Sequence, residues 1–331
     1  MLKIGSLGVA RITPEALVRP VSEINSVELA GVAARDHLRA QAFAAEHGIN
    51  SIFDDYQAML DDPNIEAIYI PLPNGLHCEW TIKALEAGKH VLCEKPFCNN
   101  ANEARQMVKA SQRAGLILME AFHYRHHPLM SRVRELVPDL GPLLHIEAKY
   151  CFVLPRFSDI RYDYALGGGA TMDVGAYTSD ILLQLAAASG DPALAQSPQV
   201  TRATARKFRA TIDRAMAAKV VWENGTSGQI INSFWSWRVP GVELKAVGEH
   251  GQLRVSNPVL PHRGHQLSVK INGKIHHERV PGKSSYYYQL LEFERRIREE
   301  TSSPDLEESI ATMELIDAIY TAAGMPLRGA Q

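Results

Sequence analysis

Residues 66–96 read EAIYIPLPNGLHCEWTIKALEAGKHVLCEKP, and the reading of this stretch decides the fold. Glu66 to Pro71 is an apolar run of strand length. Apolar residues at helical spacing follow from His77 to Ala87, and Gly88 stands where a left-handed C-cap is wanted. Lys89 to Cys93 is apolar again, after which the chain abruptly sets Glu94, Lys95 and Pro96. A strand, an amphipathic helix and a second strand form a βαβ unit. Continuously apolar strands in such a unit belong to a parallel sheet covered on both faces. The charged end of the second strand is either a turn that stops it or a lysine delivered to a cleft.

The same alternation extends outward on both sides. Strands are expected at 2–7, 27–34, 66–71, 89–93 and 116–119, with helices near 14–24, 36–47, 54–61, 77–87 and 100–114. Gly48 and Gly115 close helical runs as Gly88 does. Up to about residue 121 the chain therefore reads as α/β with a doubly wound parallel sheet. From 122 to 331 the texture changes. Strand-like runs follow one another at 143–153, 199–209, 215–223, 227–236, 242–248, 251–256, 266–271 and 275–280, many separated by turns such as ENG, EHG and NGK. One helix is expected near 170–187 and two more at 285–300 and 305–323. The second domain is thus α/β with a large, mostly antiparallel, open-faced sheet. Asn224-Gly-Thr226 reads as a hairpin turn.

The totals agree with two domains, since 331 residues exceed one ordinary core. Net charge is 35 − 37 = −2 without a basic tract, which argues against a nucleic-acid partner. No apolar run approaches the roughly 20 residues that span a bilayer. The opening MLKIGSLGVARI is broken by glycine and carries Arg11, so it reads as strand and turn rather than signal peptide. Cys78, Cys93, Cys98 and Cys151 lack C-x-x-C spacing, as expected of reduced thiols in a cytoplasm.

The first strand runs into IGSLGVARIT, residues 4–13. Against the dinucleotide fingerprint G-x-G-x-x-G, Gly8 takes the first position, Ala10 the second and Thr13 the third, with Arg11 and Ile12 completing the loop. A helix opening at Pro14 follows, so the loop offers backbone N–H groups to a pyrophosphate. The second strand ends AGVAARD, where an acid selects NAD and an arginine selects NADP. Arg35 favours NADP, and Asp36 is the residue that would favour NAD. Arg39, one turn on, reads as a solvated helix face.

Taken together, three motifs resemble the Gfo/Idh/MocA oxidoreductases. They are IYIPLPNGLHCEWTIKALEAGKHVLCEKP (68–96), EAFHYRHHP (120–128) and LGGGATMDVGAY (166–177). The second motif is similar to the branch containing NADP-dependent xylose dehydrogenase and dimeric dihydrodiol dehydrogenase. The resemblance covers nearly the whole chain. It implies a Rossmann domain, an open antiparallel domain and an active site between them, where a sugar or cyclic polyol exchanges a hydride with NAD(P).

On that resemblance Lys95 is the catalytic lysine, followed by an X-Pro bond that is often cis, and Tyr177 is the proton donor and acceptor. An ordinary phenol has a pKa near 10, and a nearby ammonium is expected to depress it. Asp173, four residues earlier on the same helix face, either binds a substrate hydroxyl or orients Lys95. Gly167, Gly168 and Gly169 are expected to let a ligand approach the backbone. Pro71, Leu72, Asn74 and His77 are placed along the cofactor, with a structural hydrogen bond as the alternative for His77. Glu94 either fixes Lys95 or contacts the cofactor. Arg125 and Arg161 are placed as cofactor contacts, with a structural salt bridge as the alternative for Arg161. His123, His126 and His127 lack a second ligand set, and no metal is expected. Trp235, Trp237 and Tyr162 form a candidate apolar wall.

The expected function is therefore an NADP-dependent oxidoreductase acting on a secondary alcohol or carbonyl of a sugar, cyclic polyol or dihydrodiol. The alternatives are a redox-neutral, NAD-dependent glycosidase of the same family and a non-catalytic dinucleotide sensor. A homodimer or higher homo-oligomer through the C-terminal sheet is expected, in the cytoplasm, without membrane or nucleic-acid partners.

Overall fold

The structure, a computed structural model, describes residues 1–236, 241–300 and 305–329. In chain order the first part runs β1 (Leu2–Leu7), α1 (Arg19–Glu23), β2 (Val27–Ala33), α2 (His37–His47), β3 (Ser51–Phe53), α3 (Tyr56–Asp61), β4 (Ala67–Ile70), α4 (His77–Glu86), β5 (His90–Cys93), α5 (Ala101–Ala114) and β6 (Leu118–Glu120). The second part runs α6 (Pro128–Leu136), β7 (Leu143–Cys151), α7 (Ala170–Ala188), β8 (Gln199–Arg209), β9 (Ile212–Val221), β10 (Ser227–Ser233), β11 (Gly241–Gly248), β12 (Gly251–Ser256), β13 (Gln266–Ile271), β14 (Lys274–Glu278), α8 (Ser285–Arg298) and α9 (Leu306–Ala322).

The strands of the opening stretch are where the sequence puts them. All of Ala67, Ile68, Tyr69 and Ile70 in β4, and Val91, Leu92 and Cys93 in β5, are fully buried. That burial on both faces is why they read as unbroken apolar runs. Among the described residues β1 to β6 form one parallel sheet in the order β3-β2-β1-β4-β5-β6. The order reverses between β1 and β4, which marks the carboxyl edge of those strands as the ligand-binding edge of a doubly wound sheet. Gly48, Gly88 and Gly115 all have positive φ at helix ends, as their positions predict. β3 was not foreseen: at three residues, exposed or half-buried, SIF is too short to show a period.

Among the described residues the second sheet has the order β14-β13-β12-β11-β7-β10-β9-β8. All neighbours are antiparallel except β7 and β10. One face is covered by α7, which packs on β7, β9 and β10. Most of α7 is buried between Ala170 and Ala186, polar Thr171, Thr178, Ser179 and Asp180 included, so its burial is not confined to one stripe. The opposite face carries exposed Arg202, Ala217, Lys219, Gln252, Arg254 and Lys270. α6 was also missed. Its N-cap is His127, whose Nδ1 accepts from the Leu129 N–H at 3.0 Å, and histidine is not among the usual cap signals.

The sequence suggests one boundary, at 121/122. By packing, the chain divides into two interleaved units. A first unit takes Met1–Cys98, Asn102–His123 and the segment from Tyr286 that holds α8, and a second takes Asn99–Ala101, Tyr124–Ser285 and the chain from Glu308. Within the first unit Tyr286 lies on the His123 ring, centroids 4.0 Å apart. Among the described residues no helix is long and apolar enough to cross a membrane.

Candidate functional site

In the first unit the chemistry-bearing residues follow strand ends. β1 ends in Gly8, whose φ is 113° and whose N–H donates to Ala33 O at 2.7 Å, tying the loop to the end of β2. A Cβ on Gly8 would lie 3.1 Å from Leu72, so the loop can sit against the β4 end only as glycine. Thr13 N–H donates to Ala10 O at 3.0 Å, and the helical turn Pro14–Val18 begins with proline at its first position. The loop of Gly8, Ala10, Arg11 and Ile12 therefore opens on a helix N-terminus, the geometry that backbone anion binding needs.

At the end of β2, Asp36 is the N-cap of α2, and its carboxylate accepts from Arg39 N–H at 3.3 Å. The alternative role for Asp36, holding a ribose, thus competes with a capping bond worth about 1 kcal/mol. Arg35 is exposed beside it. Arg39 is exposed as well, and its guanidinium donates to Val9 O of the phosphate loop at 3.2 Å. Tyr56 lies near both arginines; burial raises its pKa, and the Arg35 backbone and the two guanidiniums act against that rise. The sequence left Arg39 between assisting Arg35 and lying on an outward helix face, because position 39 fits both.

β4 leads into Pro71, Leu72 and Asn74, and β5 into Glu94 and Lys95. Glu94 N–H donates to Ile70 O at 3.1 Å, which keeps the two strand ends level. The Glu94 carboxylate is buried and accepts from Tyr69 O–H at 2.7 Å and from the Lys95 N–H at 3.2 Å. Of its two expected roles, fixing Lys95 is the one these contacts support. The Lys95–Pro96 bond is cis, and Lys95 is half-buried. His77 is fully buried, with Nδ1 2.8 Å from Pro96 O and Nε2 2.8 Å from Leu72 O. Burial pushes its pKa down, and the carbonyls pull it back up. Of the two roles expected of His77, these contacts support the structural one: it ties the 71–74 loop to the residue after Lys95.

In the second unit α7 carries Asp173 and Tyr177 one turn apart, as their spacing predicts. Asp173 Oδ2 lies 2.8 Å from Arg161 Nε, and Asp159 is a weaker partner of the same arginine at 3.5 Å. Of the two roles considered for Arg161, the salt bridge is the one the fold supplies. Tyr177 is buried, its ring 5.9 Å from that of Tyr124 and 5.7 Å from that of Tyr150. Burial, with Asp173's charge second, pushes the Tyr150 phenol up to about 12, so it stays a neutral donor.

Arg125 has partners of its own in the second unit. It is buried and forms a bidentate pair with Asp180, a further 2.9 Å contact to Glu308, and a neighbour in Tyr124, whose O–H donates to Asp180. These contacts brace α7. Gly168 and Gly169 in the 167–169 run are tightly enclosed. A Cβ on Gly168 would lie 2.5 Å from Asp163 O, and one on Gly169 2.4 Å from Asp213 Oδ1. At Gly168 and Gly169 the groups that come close are the protein's own. Tyr162 belongs to the aromatic core with Phe234, and Trp235 stacks on Phe157 at 5.6 Å. Trp237 lies outside the described residues. Among the described residues no group of three or more His, Cys, Asp or Glu can hold a metal.

Comparison with known proteins gives the class. Residues 2–122 match the model of an oxidoreductase family with an NAD-binding Rossmann fold, and residues 130–254 match the GFO/IDH/MocA C-terminal domain. The chain belongs to the Gfo/Idh/MocA oxidoreductases. A D-xylose 1-dehydrogenase (NADP(+)) of Haloferax volcanii is 34% identical over 326 residues, covering 97% of each chain. A trans-1,2-dihydrobenzene-1,2-diol dehydrogenase of Sus scrofa is 30% identical over 236 residues, covering 70% of this chain and 67% of its own. The 3-ketoreductase KijD10 of Actinomadura kijaniata, solved with NADP and TDP-benzene, superposes with a TM-score of 0.86 at 24% identity over 97% of each chain. At that identity the likeness is one of fold.

Proposed function

We propose that this protein is an NADP-dependent oxidoreductase that interconverts a secondary alcohol and a carbonyl on a sugar, cyclic polyol or dihydrodiol. The observation that carries the cofactor choice is at the end of β2. The carboxylate there caps α2, while Arg35 and Arg39 offer two cations, one already anchored on the phosphate loop. Gly8, Ala10, Arg11 and Ile12 would hold the pyrophosphate, Arg35 and Arg39 the 2′-phosphate, and Pro71, Leu72 and Asn74 the length of the dinucleotide. The glycine-only turn at Gly8 fits such a group. When bound, the nicotinamide takes the hydride from the carbinol carbon or returns it.

The protein's own groups handle the proton and the charge. Tyr177 exchanges the proton of the reacting hydroxyl: its phenolate accepts it in oxidation, and its phenol returns it in reduction. The Lys95 ammonium stabilises the alkoxide as charge develops. Asp173, held by Arg161, accepts a hydrogen bond from a second substrate hydroxyl. Full names in the relatives, a xylose dehydrogenase and a dihydrodiol dehydrogenase, support the substrate class.

The test is a panel of aldoses, cyclic polyols and dihydrodiols with NADP+ and NAD+ in parallel. NADP+ reduction on at least one member is expected. The Arg35→Ser/Arg39→Ser variant is expected to weaken NADP+ binding by about 10–100-fold, the worth of charge-assisted hydrogen bonds of about 1.5–3 kcal/mol. NAD+ binding should hardly change. Equal loss for both nucleotides, or no turnover of any substrate, would remove the reading.

We also assign the first unit to the cofactor and the second to substrate and self-association, in the cytoplasm. The sheet face opposite α7, with small Ala217 among Arg202, Lys219 and Arg254, supports a homodimer through that face. Sedimentation should give twice the 36.6 kDa chain or a higher multiple, and a monomer mass would refute this.

A further inference from the structure

The helix that carries Asp173 and Tyr177 starts without a cap of its own. Gly169 precedes it with φ 133° and no side chain to offer. The cap comes from elsewhere in the second unit. Asp213, on β9, accepts at Oδ2 from Thr171 N–H at 2.8 Å and Thr171 Oγ1–H at 2.7 Å. Its Oδ1 accepts from Tyr320 O–H at 2.9 Å and Arg328 Nη2 at 3.1 Å. Arg328 Nε donates to Gly168 O at 2.7 Å, and Nη1 donates to Pro326 O at 2.8 Å. The guanidinium lies over the Tyr320 and Tyr164 rings, 4.3 and 4.9 Å from their centroids. Asp213, Tyr320 and Arg328 are all fully buried, Asp213 and Arg328 at 0% exposure.

A buried ion pair contributes little net stability, because removing both charges from water costs about as much as their attraction returns. This one instead fixes geometry. Its two members touch three of four successive residues at the start of α7: the Gly168 carbonyl, the bare Cα of Gly169, and Thr171. A carboxylate at a helix N-terminus is also the sign the macrodipole favours. The segment before the helix is pinned in the same place, since Gly168 N–H donates to Asp163 O and Gly169 N–H to Arg161 O, both at 2.8 Å. Arg161 then turns its side chain onto Asp173. The start of α7 and the Asp173–Arg161 pair thus hang on one fixed point.

We propose that Asp213 and Arg328 are positioning residues, a buried pair that sets the first turn of α7 and through it the placement of Asp173 and Tyr177 for the reaction. The inference rests on the function proposed above for those two side chains. It extends that function to residues far away in the chain that have no part in the family-like motifs. A shift of about 1 Å in reacting groups costs on the order of 10²-fold in rate.

Asp213→Asn keeps the size and one acceptor but removes the charge, and Arg328→Lys keeps the charge but loses the fork. Each variant is measured in two ways, by steady-state kinetics with the best substrate of the panel and by amide hydrogen exchange of the whole protein. The expected result is a kcat lower by about 10–100-fold, unchanged NADP+ affinity, and faster exchange over residues 170–177 with α2 of the first unit as the internal reference. Arg328→Lys is expected to lose less than Asp213→Asn and is the variant to read should the other not fold. Wild-type exchange over 170–177 overturns the proposal whatever the rate does. Faster exchange there with wild-type kcat overturns it equally. If wild-type protein turns over nothing in the panel, the proposed function falls. The exchange measurement then still reports separately whether the pair holds the helix start.

Discussion

Tyr177→Phe is expected to lower kcat by about 10²–10⁴-fold, the range for losing a positioned proton-transfer group, with little change in NADP+ affinity or melting temperature. The substitution removes one oxygen and leaves the ring. That ring is buried between Tyr124 and Tyr150 at 5.9 and 5.7 Å, so the aromatic packing survives. Tyr150, whose ring lies 5.7 Å from that of Tyr177, is a poor substitute. Burial and the charge of Asp173 push its phenol up to about 12, which leaves it protonated across any working pH. Tyr124 is tied to Asp180 through its hydroxyl. The measurement is single-turnover reduction of NADP+ beside a thermal melt. A variant that melts as wild type and reacts at the wild-type rate would end the assignment of Tyr177.

Lys95→Ala follows, with an expected loss of about 10²–10³-fold in kcat, the scale for removing one stabiliser of a developing oxyanion. Its surroundings make the variant interpretable. Glu94 is held by Tyr69, and the Pro96 carbonyl is held by His77, so the turn keeps anchors on both sides of the substituted residue. The loss should fall mainly on kcat rather than on nucleotide binding. A Lys95→Ala protein with normal kcat would mean that the ammonium has no part in the reaction, however well its turn is built.

What the sequence makes legible follows the periods of its elements. β4 and β5 are buried on both faces and are apolar without interruption, so they read directly as parallel strands. α7 carries its functional pair at positions 173 and 177, a spacing that survives any error at the helix ends. Roles that depend on distant partners are less visible. Asp213 sits in IDRAM, where a charged pair looks like the turn before a strand expected at 215; it is buried in a strand that begins at Ile212. Arg328 lies past the last helix, in a segment with no periodicity. Arg125 and His77 carry the residue types of a binding site, yet their partners, Asp180, Glu308 and two backbone carbonyls, lie elsewhere in the chain. Residue type announces chemistry, but only the fold says whether a ligand or the protein itself receives it.

The interleaved division of the chain bears on its synthesis. The ribosome releases residues 1–123 first, with all six parallel strands in hand, but the helix that completes this unit arrives only after residues 124–285 have been made. Tyr286, Leu290 and Phe293 are buried in the finished protein, so the nascent first unit waits with part of its apolar surface uncovered. Since each unit is built from separate stretches of the chain, no single proteolytic cut can liberate either unit intact.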